Sequence, residues 1–255
     1  PALGTAGSVA CSASATAPEL SALHTEGVLY RTAMPDTYTM AYVAEQISAD
    51  QAAASLPEGQ PYKVSILARQ DDYGIGVGNG LAAALTARGM EVQVVPYTPR
   101  RVIFTEEAAQ IAGFAPNSVV LVSYAEAVRQ VSALVGAGVS ASSIIGLDGA
   151  FTPNLATGAF PNDPSQADGL RVIGSTGDRA FIDRLLNAET TLTQLIFGAQ
   201  MYDCVMVGAL APLTTNVRLG LMVAGNTYRN PVFLLKQAIT VDAISGGRLD
   251  FGVGA

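Results

Sequence analysis

Three side chains have the types and the spacing to act together: Tyr73, Tyr124 and Asp148. Each stands just after a short apolar run that reads as a buried strand: Lys63–Arg69 before Tyr73, Ser118–Ser123 before Tyr124 and Ser143–Leu147 before Asp148. Ligands of parallel α/β sheets bind beyond the carboxyl ends of the strands, so three residues in this relative place should face one crevice. A carboxylate supplies a counter-charge, and phenol rings offer a face to a cation. The set suits a small ligand carrying an ammonium group. Considered singly, Asp148 is equally a turn or cap residue, and each tyrosine a half-buried packing ring.

Other chemistry finds little support. His24 is the only histidine, which leaves a histidine-based metal site or a Ser-His-Asp triad almost nothing to build on. Gly74, Gly76, Gly78 and Gly80 look like a dinucleotide loop, but the G-x-G-x-x-G spacing fails at Asn79 and again at Leu81. They read instead as a tight turn and a close-packed helix start. Glu106-Glu107 fits a helix first turn, where the dipole favours negative charge, rather than a catalytic pair.

The elements that must hold the three residues alternate. Lys63–Arg69 is apolar without polar alternation, as a strand covered on both faces would be. Asp71–Gly74 is turn chemistry. A helix follows through Leu81, Leu85 and Met90, with Gly89 near its end, and Glu91–Val95 is the next strand. Upstream, Val28–Arg31 is a short strand, and Thr37–Ala54 an amphipathic helix using Tyr38, Met40, Tyr42, Val43 and Ile47. Downstream come helices over Thr105–Phe114 and Ala125–Val135, then the strand before Asp148 and another at Leu170–Ile173. The alternation predicts a doubly wound, parallel α/β sheet. Further helices are expected at Asp178–Leu186 and Thr191–Ala211. A last βαβ unit follows, with strands Val217–Val223 and Arg248–Val253 around a helix from Asn230-Pro231 to Ile244. Near the start, Thr16 and Glu19 form a capping box with Pro18 in the first turn; the free amides of such a helix start attract anions, although Thr16 as a plain cap is the favoured reading.

Composition sets outer limits. The 255 residues suffice for one large or two ordinary domains, and 49% hydrophobic with 14% charged residues excludes a disordered chain. A net charge of −7 without a Lys/Arg cluster argues against nucleic acid. No apolar run is long enough to span a bilayer. Cys11 and Cys204 are far apart, and the favoured reading is two buried free thiols, with a bridge left open. The chain begins at Pro1 without a methionine, so either a leader has been removed or the sequence is a piece of something longer.

Four segments occur in the order Ser12-Ala13-Ser14-Ala15-Thr16-Ala17-Pro18-Glu19-Leu20, Tyr30-Arg31-Thr32-Ala33-Met34-Pro35-Asp36, Asp71-Asp72-Tyr73-Gly74 and Gln200-Met201-Tyr202-Asp203. Through them residues 1–211 resemble the solute-binding proteins of branched-chain amino-acid ABC transporters. The resemblance implies two α/β lobes around a trapped ligand, with 37–168 as lobe two and 1–36 plus 169–211 as part of lobe one. It places Ser14 and Thr16 where that family binds the α-carboxylate and α-ammonium, Tyr73 and Tyr124 along the cleft, and Asp148 where an acid takes the ammonium. Ala13 replaces the usual proline. The family's first lobe begins with several βα units that have no counterpart here, which implies that lobe one is mostly missing. It also implies a transporter permease as partner and a periplasmic or extracellular location, lipid-anchored in full-length relatives. Sheet edges left bare by the missing part would invite a second copy, which predicts a homodimer.

Residues 212–255 resemble an unrelated family, the luciferase-like flavin- or F420-dependent monooxygenases. The matching segments are Arg218-Leu219-Gly220, Val223-Ala224-Gly225-Asn226-Thr227-Tyr228-Arg229-Asn230-Pro231 and Ser245–Gly254. That resemblance implies a βαβ fragment of TIM-barrel type, with Val223, Ala224, Gly225 and Asn226 near an FMN or F420 ring. Two strands cannot close a barrel, so the alternative is a strand-helix-strand patch added to a neighbouring sheet. The expected function is a truncated solute-binding protein for a small zwitterion, more a binding module than an enzyme and without a cofactor. The alternatives are a flavin- or F420-dependent oxidoreductase fragment and a chimeric scaffold without activity.

Overall fold

The computed structural model describes residues 8–21, 29–31, 33–174, 183–184, 187, 201, 216, 218–225, 242 and 246–254. The chain divides into two compact units. One comprises Pro1–Thr16, Ala22–Met34 and Thr176–Ala255, the other Ala17–Ser21 and Pro35–Ser175.

The second unit is a five-stranded parallel sheet. Its strands are β3 (Lys63–Arg69), β4 (Glu91–Tyr97), β5 (Ser118–Val122), β6 (Ile144–Gly146) and β7 (Arg171–Val172), in the spatial order β4-β3-β5-β6-β7. Val64 pairs with Val92 on one side and Ser118 on the other, which fixes the register at the centre. The helices are α1 (Asp36–Ala53), α2 (Asp72–Thr86), α3 (Thr105–Phe114), α4 (Ala127–Gly136) and α5 (Leu155–Ala159). Strand β5 shows why the sheet is doubly wound. Val119 and Leu121 enter the core with Ile111, Val131 and Leu134 of α3 and α4, while Val120 and Val122 enter the core with Ile47, Leu81 and Leu85 of α1 and α2. All five of its residues are buried, as a strand covered on both faces requires.

The strand order places the chain's direction change between β3 and β5. The helices that follow these two strands, α2 and α4, pack into the two different cores on either side of the sheet, and such switch points are where parallel α/β sheets bind ligands. Two glycines allow close approach at the carboxyl edge. A Cβ on Gly74 would run into the Arg69 carbonyl oxygen, and one on Gly149 into that of Ser123. Farther along α2, Gly80 faces the Met40 sulfur of α1. The glycine run thus packs a helix against its neighbours, as the failed dinucleotide spacing suggests.

The first unit holds β1 (Ser8–Ser12), β2 (Leu29–Arg31), β8 (Arg218–Gly225) and β9 (Leu249–Gly254), all parallel, in the order β2-β1-β8-β9. Ala10 of β1 pairs with both Leu29 and Gly220, so the C-terminal strands extend the sheet begun by the N-terminal ones. The two strands of the expected strand-helix-strand patch thus join a neighbouring sheet, while of the helix expected between them only Asp242 is among the described residues. A register shift between Leu221 and Ala224 interrupts the pairing of β8 with β9.

Several expectations change in detail. Asp71–Gly74 is not a free turn: Asp71 is the N-cap of α2, its Oδ1 accepting the Gly74 amide at 2.9 Å, and Tyr73 and Gly74 lie in the first helical turn. Tyr38 and Tyr42 of α1 are exposed; the buried stripe is Thr39, Val43, Ala44 and Ile47. The capping-box segment carries a four-residue 3-10 helix, Pro18–Ser21, and Ser12 Oγ accepts the Ala15 amide at 3.0 Å. Strand β1 was not read from the sequence. Of the helices expected at 178–186, 191–211 and 230–244, only Asp183, Arg184, Met201 and Asp242 fall among the described residues, and these are helical. Cys11 lies in β1, whereas Cys204 and His24 lie outside the described residues.

Candidate binding site at the carboxyl edge

The carboxyl ends of β3, β5 and β6 deliver Tyr73, Tyr124 and Asp148 to one place. The Tyr73 hydroxyl donates to Asp148 Oδ1 at 2.9 Å. The Tyr73 and Tyr124 rings stack with centroids 5.2 Å apart and planes inclined by 25°. Asp148 opens a 3-10 turn, Asp148–Ala150, and its Oδ1 also accepts the Gly149 amide at 2.8 Å. Tyr73 is 8% and Asp148 7% exposed, whereas Tyr124 is half-buried and presents part of its ring at the edge.

The electrostatics follow from burial. Loss of water pushes the Asp148 carboxyl above its usual range, and the hydrogen bonds from Tyr73 and Gly149 pull part of the way back. Burial, and then the Asp148 charge, hold the Tyr73 hydroxyl well above its ordinary value, so it stays a donor. A carboxylate kept from water and bonded through one oxygen is poised to accept a cation.

Beside this group lies a polar cluster that the sequence reading did not pick out. Arg69 Nε donates to Asp71 Oδ2 at 2.5 Å, and Nη1 to Glu126 Oε1 at 2.7 Å. The guanidinium carbon is 5.0 Å from the Tyr124 ring centroid. Tyr97, at the end of β4, donates to Glu126 Oε1 at 2.8 Å, and burial drives its hydroxyl far above the ordinary value. An arginine ending a central strand, with acids two and 57 residues later, was the available signal; the second interval becomes meaningful only once β3 and β5 are paired.

Ser14 and Thr16 belong to the first unit, on the segment after β1; Ser14 is exposed and Thr16 buried. Val223, Ala224 and Gly225 form the end of β8, with Ala224 paired to Val253 and Gly225 to Gly254, while Asn226 lies outside the described residues. Among the described residues no group of three or more His, Cys, Asp or Glu side chains could hold a metal ion.

Comparison with solved structures places this architecture. A leucine-binding protein from Thermotoga maritima matches with a TM-score of 0.67 at 16% identity over 85% of this chain and 60% of its own. An extracellular ligand-binding receptor from Rhodopseudomonas palustris matches with a TM-score of 0.61 at 20% identity, over 83% and 61%. An ABC transporter substrate-binding protein from Desulfitobacterium hafniense gives 0.55 at 17%, over 82% and 58%. The fold is that of the ABC-transporter substrate-binding proteins. The chain spans about three-fifths of the length of these proteins. No curated protein matches it in sequence.

A family model described as luciferase-like monooxygenase matches residues 178–255. This match begins well before residue 212, where the sequence motifs set the boundary. The Gln200–Asp203 segment therefore falls within both resemblances.

Proposed function

We propose that the chain is a solute-binding protein that takes a small amino-acid-like zwitterion at the carboxyl edge of its second unit. The observation that carries this reading is the Tyr73–Asp148 hydrogen bond beside the Tyr73–Tyr124 stack, at the point where the strand order changes direction. Asp148 is the counter-charge for the ammonium group. Tyr73 and Gly149 both donate to Oδ1, and Oδ2 is the oxygen this reading assigns to the ligand. Tyr73 and Tyr124 form an aromatic wall against which the ligand's carbon skeleton packs. Among the described residues no helix is long and apolar enough to cross a membrane. In this reading the protein acts outside the cytoplasmic membrane and delivers its ligand to a transporter permease.

The function is tested by a thermal-shift panel of leucine, isoleucine, valine and other amino acids. The expected result is a rise in Tm with leucine at least: at one hundred times its Kd a ligand stabilises by about 2.7 kcal/mol. No shift at millimolar concentrations counts against retained binding. The luciferase-like match over 178–255 favours a second reading, a flavin- or F420-dependent oxidoreductase fragment. A yellow protein after purification, or quenching of added FMN fluorescence, would support it. A colourless protein indifferent to flavin, with a cooperative melt and no amino-acid shift, would leave a scaffold.

A further inference from the structure

Arg69 spans the two loops that carry the aromatic pair. Asp71, which accepts from its Nε, stands two residues before Tyr73; Glu126, which accepts from its Nη1, stands two residues after Tyr124. Each acid is held in turn, Asp71 by the Gly74 amide and Glu126 by the Tyr97 hydroxyl. The Arg69 side chain keeps only 20% of its surface exposed, and its guanidinium carbon sits 5.0 Å from the Tyr124 ring centroid.

We propose that Arg69 is a positioning residue of the binding cup: its guanidinium braces the β3–α2 and β5–α4 loops and holds the Tyr124 ring against Tyr73. The inference rests on the ligand reading given above and deepens it, since it names what fixes the aromatic wall beside Asp148. Arginine suits the task because its planar group can bond two carboxylates through its edge while its face rests on a ring. A lysine ammonium has no such edge and face. The two carboxylates also screen the guanidinium charge, so a cation close to the cup does not repel an incoming ammonium group.

A double-mutant cycle tests this with R69M, R69K, Y124L and the R69M/Y124L pair. Each is read by calorimetric titration with L-leucine and by the near-ultraviolet circular dichroism of the ligand-free protein. The chain has nine tyrosines and no tryptophan, so that band reports tyrosine packing. R69M is expected to weaken leucine binding by about tenfold with Tyr124 present and by less than about twofold in Y124L, with R69K between R69M and the parent. The near-ultraviolet band of R69M should fall to the Y124L level with the far-ultraviolet spectrum unchanged. Equal losses in both backgrounds, or an unaltered band in R69M, would overturn the proposal. If the parent chain does not bind leucine, the ligand reading fails on its own, and the band cycle still decides the role of Arg69. Should R69M not fold, E126Q takes its place: it should lower the band with Tyr124 present and leave it unchanged in Y124L, and any other pattern counts against the brace.

Discussion

At Asp148 burial and charge pull in opposite directions. The carboxyl is 7% exposed and sits above its usual range chiefly because water has been removed. A carboxyl whose pKa is raised on folding binds its proton more tightly in the folded state. It therefore costs stability once the pH rises above the unfolded value of about 4. D148N keeps an oxygen for the Tyr73 hydroxyl and the Gly149 amide but removes the charge. Its melting temperature should exceed that of the parent at pH 7, and the gain should vanish near pH 3, where the parent's carboxyl is also neutral. The same substitution should weaken binding of an ammonium-bearing ligand by more than about tenfold, since a buried charge pair is lost. Thermal melts at the two pH values check the sign; a D148N melt below the parent at pH 7 would contradict it. The juxtaposition of Tyr73, Tyr124 and Asp148 was legible because each follows an apolar run, and strand ends are visible in sequence. Arg69 and Glu126 were not, since nothing in their spacing shows that β3 and β5 are neighbours.

Among the elements, α2 bears most directly on the site, because its first turn carries Tyr73. Asp71 caps the helix, and Gly74 lets it start hard against the end of β3. In G74A the new methyl meets backbone that cannot yield as a side chain can. The substitution should cost about 1–3 kcal/mol by overpacking, read by denaturant titration, and should shift Tyr73 along with the helix start. A change within about 0.5 kcal/mol would show that α2 has room the close approach denies. The sequence revealed these elements well where periodicity was strong. Helix α3 and the central strands fall where expected, since buried strands and glycine-closed helices leave plain marks. It misjudged α1, because tyrosines at positions 38 and 42 suggest a core face that Thr39, Val43, Ala44 and Ile47 supply instead. It missed β1, since the five residues of Ser8–Ser12 are too few for a pattern and their pairing with β2 and β8 is long-range.

For the molecule as a whole, the chain joins segments with two resemblances, and its first unit shows how they combine. Strands β8 and β9, from the luciferase-like stretch, continue the parallel sheet of β1 and β2. Parallel strands from a barrel and from a doubly wound sheet share the same spacing and hydrogen-bond pattern, so one can extend the other without special chemistry. A sequence reveals such a join only as a change of motif. Which sheet the later strands enter depends on pairing across some two hundred residues. In the second unit a carboxylate and two stacked rings are gathered from three strand ends, and the proposed function has them receive an ammonium group. The most direct measurement is a calorimetric titration of the full chain at pH 7 with L-leucine and, in parallel, with 4-methylpentanoate, which keeps the carbon skeleton and carboxylate but lacks the ammonium group. Saturable heat with leucine and none with 4-methylpentanoate is the predicted result. Equal binding of the two, or no heat from leucine, would contradict it.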